Sequence, residues 1–138
     1  MSNKAYRWVL VVLWMIVIFA FSAQPHSGAV TEKYFGAANV PIRKAAHMTE
    51  YAILFSLCRW AALGTVNGLI LRRWAPLLIS ALYACSDEFH QNFVPGRSAT
   101  ASDVLVDCSG ASLAWLLILA WQKVSVVRKQ KISGPGLD

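Results

Sequence analysis

Two groups of residues have the types and spacing to do chemistry. The first is Arg43-Lys44-Ala45-Ala46-His47-Met48-Thr49-Glu50-Tyr51. The second is Ser86-Asp87-Glu88-Phe89-His90-Gln91, running on to Pro95-Gly96-Arg97 and Asp103-Val104-Leu105-Val106-Asp107. His47 and Glu50 are three apart, so a helix places them on one face with Tyr51 adjacent, a spacing that suits a shared proton or one metal. Asp87 and Gln91, four apart, also share a face. Glu88 points about 100° away from Asp87, toward a neighbouring helix or the interface, because the helical period is 3.6 residues. Asp103 and Asp107 lie in the N-terminal part of the last apolar segment, where the helix dipole favours negative charge. Asp103 could therefore simply cap; Asp107 lies deeper. Arg97 is the natural counter-ion for two or more of these carboxylates, and Arg43 and Lys44 add positive charge beside it.

Three kinds of work are open to such a set. His47 with a carboxylate makes a general acid/base pair where burial and like charges drive pKa values apart. The carboxylates can hold a divalent cation, although no HExxH or paired Cys/His pattern points to zinc. Arg43, Lys44 and Arg97 can bind the head group of an anionic lipid or a cell-wall precursor. The candidate catalytic group is thus His47, Glu50, Asp87, Glu88, Gln91 and Asp107, and the candidate substrate-binding group is Arg43, Lys44, Arg97 and Asp103. No GxSxG element or other nucleophile motif is present. The sequence names no cofactor, leaves the metal open and does not decide between catalysis and binding. The plain alternative is a non-enzymatic structural or partner-binding protein whose polar cluster is a hydrogen-bond network.

The elements that must carry these residues are apolar helices. Hydrophobic residues make up 57% of the 138 and charged residues 14%, with mean hydropathy +0.47. Soluble domains run at roughly 45–50% and 25%, so the composition is that of an integral membrane protein. The net charge of +6 could indicate a nucleic-acid partner, but the cations sit in short flanks of apolar segments, the pattern that orients membrane proteins, and no nucleic-acid partner is expected. The expectation is an all-α bundle of four transmembrane helices: Trp8–Ala23, about Ile42–Leu63, Trp74 to about Phe93, and about Asp103–Trp121. The first resembles a signal peptide, but Phe21 stands where a cleavage site needs a small side chain, so it reads as a retained helix. Gln24–Val40 has the composition of a loop, Pro41 suits a helix start, Gly64–Gly68 reads as a turn, and Ser102 is placed to cap the fourth helix. Gly110 and Ala114 form a small-xxx-small pair that lets helices approach closely. The division is a cytoplasmic N-terminus at 1–7, a membrane domain at 8–122 and a basic, disordered cytoplasmic tail at 123–138. Cys58, Cys85 and Cys108 lack metal-ligand spacing. Cys85 and Cys108 fall at one membrane face, where a disulfide is conceivable but not favoured.

Charge asymmetry sets the topology. Four spans put Lys4, Arg7, Arg59, Arg72, Arg73, Lys123, Arg128, Lys129 and Lys131 on one side, nine of the 13 basic residues. The Lys/Arg excess marks the cytoplasmic side, so both termini lie inside. Glu32, Glu50, Asp87, Glu88, Asp103 and Asp107 then fall on the outer side with His26, His47 and His90. Intramembrane acids are costly, about 2.5–3.5 kcal/mol for a central Asp on insertion scales, and mark functional sites by default. A proton or ion pathway is disfavoured, since no acid or histidine lies in the inner half.

Arg43-Lys44-xx-His47-xx-Glu50-Tyr51, Ser86-Asp87-Glu88-xx-Gln91-xxx-Pro95-Gly96-Arg97-Ser98 and Asp103-xxx-Asp107-xx-Gly110 together resemble the VanZ family of bacterial membrane proteins. Phe21-Ser22-Ala23-Gln24-Pro25 fits that family's usual end of the first helix, and the match in order and spacing covers about residues 20–120. One departure is Met48, where an aromatic is common, a change in packing more than in chemistry. The resemblance implies a multi-pass protein of the bacterial cytoplasmic membrane, in some members linked to resistance against the glycopeptide teicoplanin. It implies no mechanism.

Overall fold

The computed structural model describes residues 4–97 and 100–132, all helical or in short connections. Five α-helices follow in order: α1 Ala5–Ser22, α2 Ser27–Phe35, α3 Asn39–Thr65, α4 Leu69–Gln91 and α5 Ala101–Ile132, with a 3-10 turn at Gly36–Ala38 before α3. The all-α class expected from composition is the one found, with no strand among the described residues. By length and apolarity, α1 and α5 are long enough to cross a membrane. Arg43, Lys44, Glu50 and Arg59 on α3, and Arg72, Arg73, Asp87 and Glu88 on α4, make those two helices far more polar. At 1.5 Å per residue, α3 and α4 are nevertheless about 40 and 35 Å long, against a hydrocarbon core of about 30 Å.

α3 is the central helix and packs against α1, α4 and α5. Its buried stripe, Tyr51, Leu54, Cys58 and Ala61, meets Val11 and Ile18 of α1 and Ala84 of α4, while Phe55 meets Ala111 and Ala114 of α5. Association of such helices in lipid rests on close packing and interhelical hydrogen bonds rather than on water exclusion. Gly110 supplies the closest approach: a Cβ there would overlap the main chain of Met48. This is the role read from the Gly110/Ala114 pair. Hydrogen bonds tie α1 in. The Trp14 indole N–H donates to the Glu50 carbonyl at 2.9 Å, and the Tyr83 hydroxyl donates to the Met15 carbonyl at 2.6 Å. Large apolar side chains such as Leu13, Ile16, Leu78, Leu82, Leu116 and Leu117 lie exposed on the outside of the bundle, the inverse of a soluble surface.

Several sequence expectations are corrected. The loop expected over Gln24–Val40 contains the helix α2. Pro25 and Gly36 stop helix at its two ends rather than throughout, and the Thr31 hydroxyl closes on the Ser27 and Gly28 carbonyls and on the Asn39 amide oxygen. Gly64 lies inside α3, and α4 starts at Leu69, five residues before Trp74, so Arg72 and Arg73 stand in its first turns. Ser102 does not cap α5: helix begins at Ala101, and Thr100 precedes it, accepting the Asp103 N–H at its carbonyl (2.9 Å) and donating its hydroxyl to Asp103 Oδ2 (2.8 Å). Residues 123–132, expected to be disordered, continue α5, because this run of Val, basic and other helix-compatible residues holds no Gly or Pro before Gly134. The remainder of that tail, 133–138, lies outside the described residues, as do Ser98 and Ala99 of the expected loop. Cys58, Cys85 and Cys108 are free thiols.

Candidate functional site

The polar residues meet where the C-terminal ends of α1 and α4 lie beside the N-terminal thirds of α3 and α5. Helical spacing does the placing. Arg43, Ala46, His47 and Glu50 form one stripe of α3, and together with Phe21 and Ser22 of α1, Gln24 before α2, Ser27 and Thr31 of α2, and Arg97 they line a cavity of about 320 Å³. His47 Nδ1 stands 3.5 Å from Asp107 Oδ1 and 3.7 Å from Glu50 Oε2. These are ion-pair distances without hydrogen-bond alignment. His47 Nδ1, Tyr51 OH and both Asp107 carboxylate oxygens are buried with no hydrogen-bond partner among the described residues.

A second set is joined end to end by hydrogen bonds, with Asp87 Oδ1 and Arg97 Nε buried and without a partner among the described residues. The Ser22 hydroxyl donates to Asp87 Oδ2 at 2.7 Å, and Gln91 Nε2 donates to the same oxygen at 3.0 Å. Arg97 donates from Nη1 to Gln91 Oε1 at 3.0 Å and from Nη2 to the Phe21 carbonyl at 2.8 Å. The chain Ser22–Asp87–Gln91–Arg97–Phe21 therefore sews the end of α1 to the end of α4. Arg97 was expected to bridge two carboxylates; it forks instead to an amide and a main-chain carbonyl. Burial, then the nearby Arg43 charge, pulls the Arg97 pKa down from its ordinary value, yet a guanidinium stays protonated in proteins.

The structure thus brings His47, Glu50, Asp107, Arg43 and Arg97 to one place, with Gln91 bound to Arg97 and Asp87 bound to Gln91 behind them. Three residues do not join. Glu88 is buried but turned to the α4–α5 connection, where Oε1 accepts the Thr100 N–H at 2.6 Å. Asp103 serves the first turn of α5 with Thr100. Lys44 is exposed and outside the cavity lining. Ser22 and Tyr51 complete the site, although neither stands among the candidate catalytic or binding residues. The signal for Ser22 was weak, a serine in an otherwise apolar helix end. No three His, Cys, Asp or Glu side chains converge as a metal-ligand set among the described residues. A larger apolar groove of about 810 Å³ between α1, α3 and α5 carries no ionisable side chain among the described residues.

What the site permits follows from its two halves. Arg43 and Arg97 offer guanidinium donors to an anion, and the His47–Asp107–Glu50 cluster offers a proton relay or hydrogen bonds to a polar ligand. Apolar helices with lipid-suited exteriors enclosing a His/carboxylate/arginine cavity define the class, an α-helical membrane protein with a polar site at one end of the bundle. The chain belongs to the VanZ/LLP1 family, whose model matches residues 7–122. Neither the curated proteins nor the solved structures yield a match to the chain.

Proposed function

We propose that the chain is a multi-pass protein of the bacterial cytoplasmic membrane. In this reading α1, α3, α4 and α5 cross the bilayer, both termini face the cytoplasm, and the polar cavity opens at the outer face. There it binds or modifies the anionic head group of an envelope lipid or cell-wall precursor, and so alters sensitivity to glycopeptides such as teicoplanin. One observation carries this reading: a cavity walled by Arg43 and Arg97 adjoins buried His47, Tyr51 and Asp107 atoms that have no hydrogen-bond partner among the described residues. Buried polar atoms without partners are rare, and a ligand's polar groups would satisfy them. The lengths of α3 and α4 and the sidedness of Lys and Arg support four spans.

The test replaces His47 by Gln and Asp107 by Asn and compares glycopeptide sensitivity and co-purifying lipids with the parent at matched abundance. Loss of either property at unchanged abundance is the expected outcome. Retention of both would end this reading. The bonded chain from Ser22 to Phe21 favours a second role for part of the cluster: Asp87, Gln91 and Arg97 hold helices together. For these residues substitution lowers abundance before it touches any ligand.

A further inference from the structure

At the opposite end of the bundle from the acidic cluster, a cleft of about 750 Å³ opens between the start of α1 and the α3–α4 connection. Its ionisable lining among the described residues is wholly basic, Lys4, Arg7 and Arg72, with no carboxylate. Sidedness of Lys and Arg accounts for basic residues at this end, but not for the way these are held. Arg7 Nη1 donates to the Trp60 carbonyl at 3.0 Å, and the guanidinium lies 4.6 Å from the Trp60 ring centroid in a cation–π contact. It reaches that position because residue 64 is glycine: a Cβ there would overlap the Arg7 guanidinium. Arg72 is fixed by a hydrogen bond from Nε to the Val66 carbonyl, and the wall beside it is closed by the Trp8 indole N–H, which donates to Thr65 Oγ1 at 2.9 Å. Arg7 Nε is buried with no hydrogen-bond partner among the described residues. Two arginines held at one cleft by carbonyls and a glycine, without a carboxylate partner among the described residues, form a pre-organised set of donors for an oxyanion.

We infer that this cleft binds a phosphate group, either the phosphodiester of an anionic lipid at that membrane face or a free phosphate. The inference is independent of the site at the other end. Whichever role that site has, Arg7 and Arg72 hold the anion, Lys4 adds charge, and Gly64 positions Arg7.

The experiment is native mass spectrometry of the full chain released from a mild detergent, titrated separately with phosphatidylglycerol, phosphatidylcholine and inorganic phosphate. The probes separate the two sources: phosphatidylglycerol adducts assign the lipid, and inorganic phosphate adducts assign the free ion. Arg7→Gln and Gly64→Ala are each expected to weaken the adduct about fivefold, on the scale of one lost charge contact near a membrane surface. Arg72→Gln, which leaves α1 and its packing untouched, gives the same loss and guards against a folding defect in the other two. Arg128→Gln removes an equal charge from exposed α5 outside the cleft and is expected to leave the adduct unchanged. A loss in Arg128→Gln equal to that in Arg7→Gln would reduce the effect to diffuse charge and overturn the site. Equal binding of phosphatidylglycerol and phosphatidylcholine, with none of inorganic phosphate, would overturn it as well.

Discussion

The Ser22 hydroxyl donates a 2.7 Å hydrogen bond to Asp87 Oδ2 across 65 positions of chain. Both side chains are buried, 1% and 2% exposed, so the contact forms away from water and locks the end of α1 to α4. A double-mutant cycle over Ser22→Ala and Asp87→Asn should show a coupling of about 1 kcal/mol, within the range for residues sharing one hydrogen-bond network. Denaturant unfolding in detergent measures it. Additive losses would mean that the hydroxyl and carboxylate act separately.

Arg97 anchors the same seam from the connection between α4 and α5. Its two donations, to Gln91 and to the Phe21 carbonyl, need a planar fork that lysine lacks. Arg97→Ala should cost about 1.5–3 kcal/mol, as for a charged hydrogen-bond donor. Arg97→Lys should recover only part of that loss. Thermal unfolding of the three proteins at equal detergent concentration decides it; full recovery by lysine would remove the argument from geometry.

Gly110 admits no side chain against Met48. Gly110→Ala should destabilise by about 1–3 kcal/mol, the usual penalty of overpacking, and Gly110→Leu should prevent accumulation. Wild-type abundance of the leucine variant in membranes would contradict the close approach of α3 and α5.

Sidedness is open to chemical labelling. In a background with Cys58, Cys85 and Cys108 replaced, a cysteine at Tyr34 should react with an impermeant maleimide on intact cells, and one at Asn67 should not. Tyr34 is 73% exposed on α2. Gly96, an obvious loop choice, is unsuitable because it sits at φ +75° with the His26 ring against it. Labelling at Asn67 in intact cells would overturn the arrangement of four spans with both termini inside.

Much of this was legible beforehand, and the boundary is instructive. Helical periodicity places His47 and Glu50 on one face and Asp87 and Gln91 on another, and the order of charges puts those faces at one end. Both follow from spacing alone, and the distances agree. What spacing cannot supply is the partner. Glu88 and Asp103 looked like members of the cluster because they are acidic and nearby in sequence. Their rotation about the helix axes turns them to the Thr100 backbone and hydroxyl instead. Ser22 enters the sequence reading only within Phe21-Ser22-Ala23-Gln24-Pro25, without a chemical role, because a hydroxyl in an apolar helix carries no charge pattern. The helix α2 was missed because Pro25 and Gly36 punctuate its ends, and composition averaged over the segment cannot separate a bounded helix from a loop.

The glycine contact has one more effect. Met48 follows His47 directly, and Gly110 lies one turn beyond Asp107 on the facing helix, so the point where the two backbones touch is also the gauge for the imidazole–carboxylate gap. The hydrogen atom at position 110 is a spacer of fixed thickness. Any larger group wedges α3 from α5 and lengthens the 3.5 Å separation of His47 Nδ1 and Asp107 Oδ1, the distance over which a proton would have to pass. In this bundle helix packing and the His47–Asp107 separation share one adjustment, and neither can be retuned without the other.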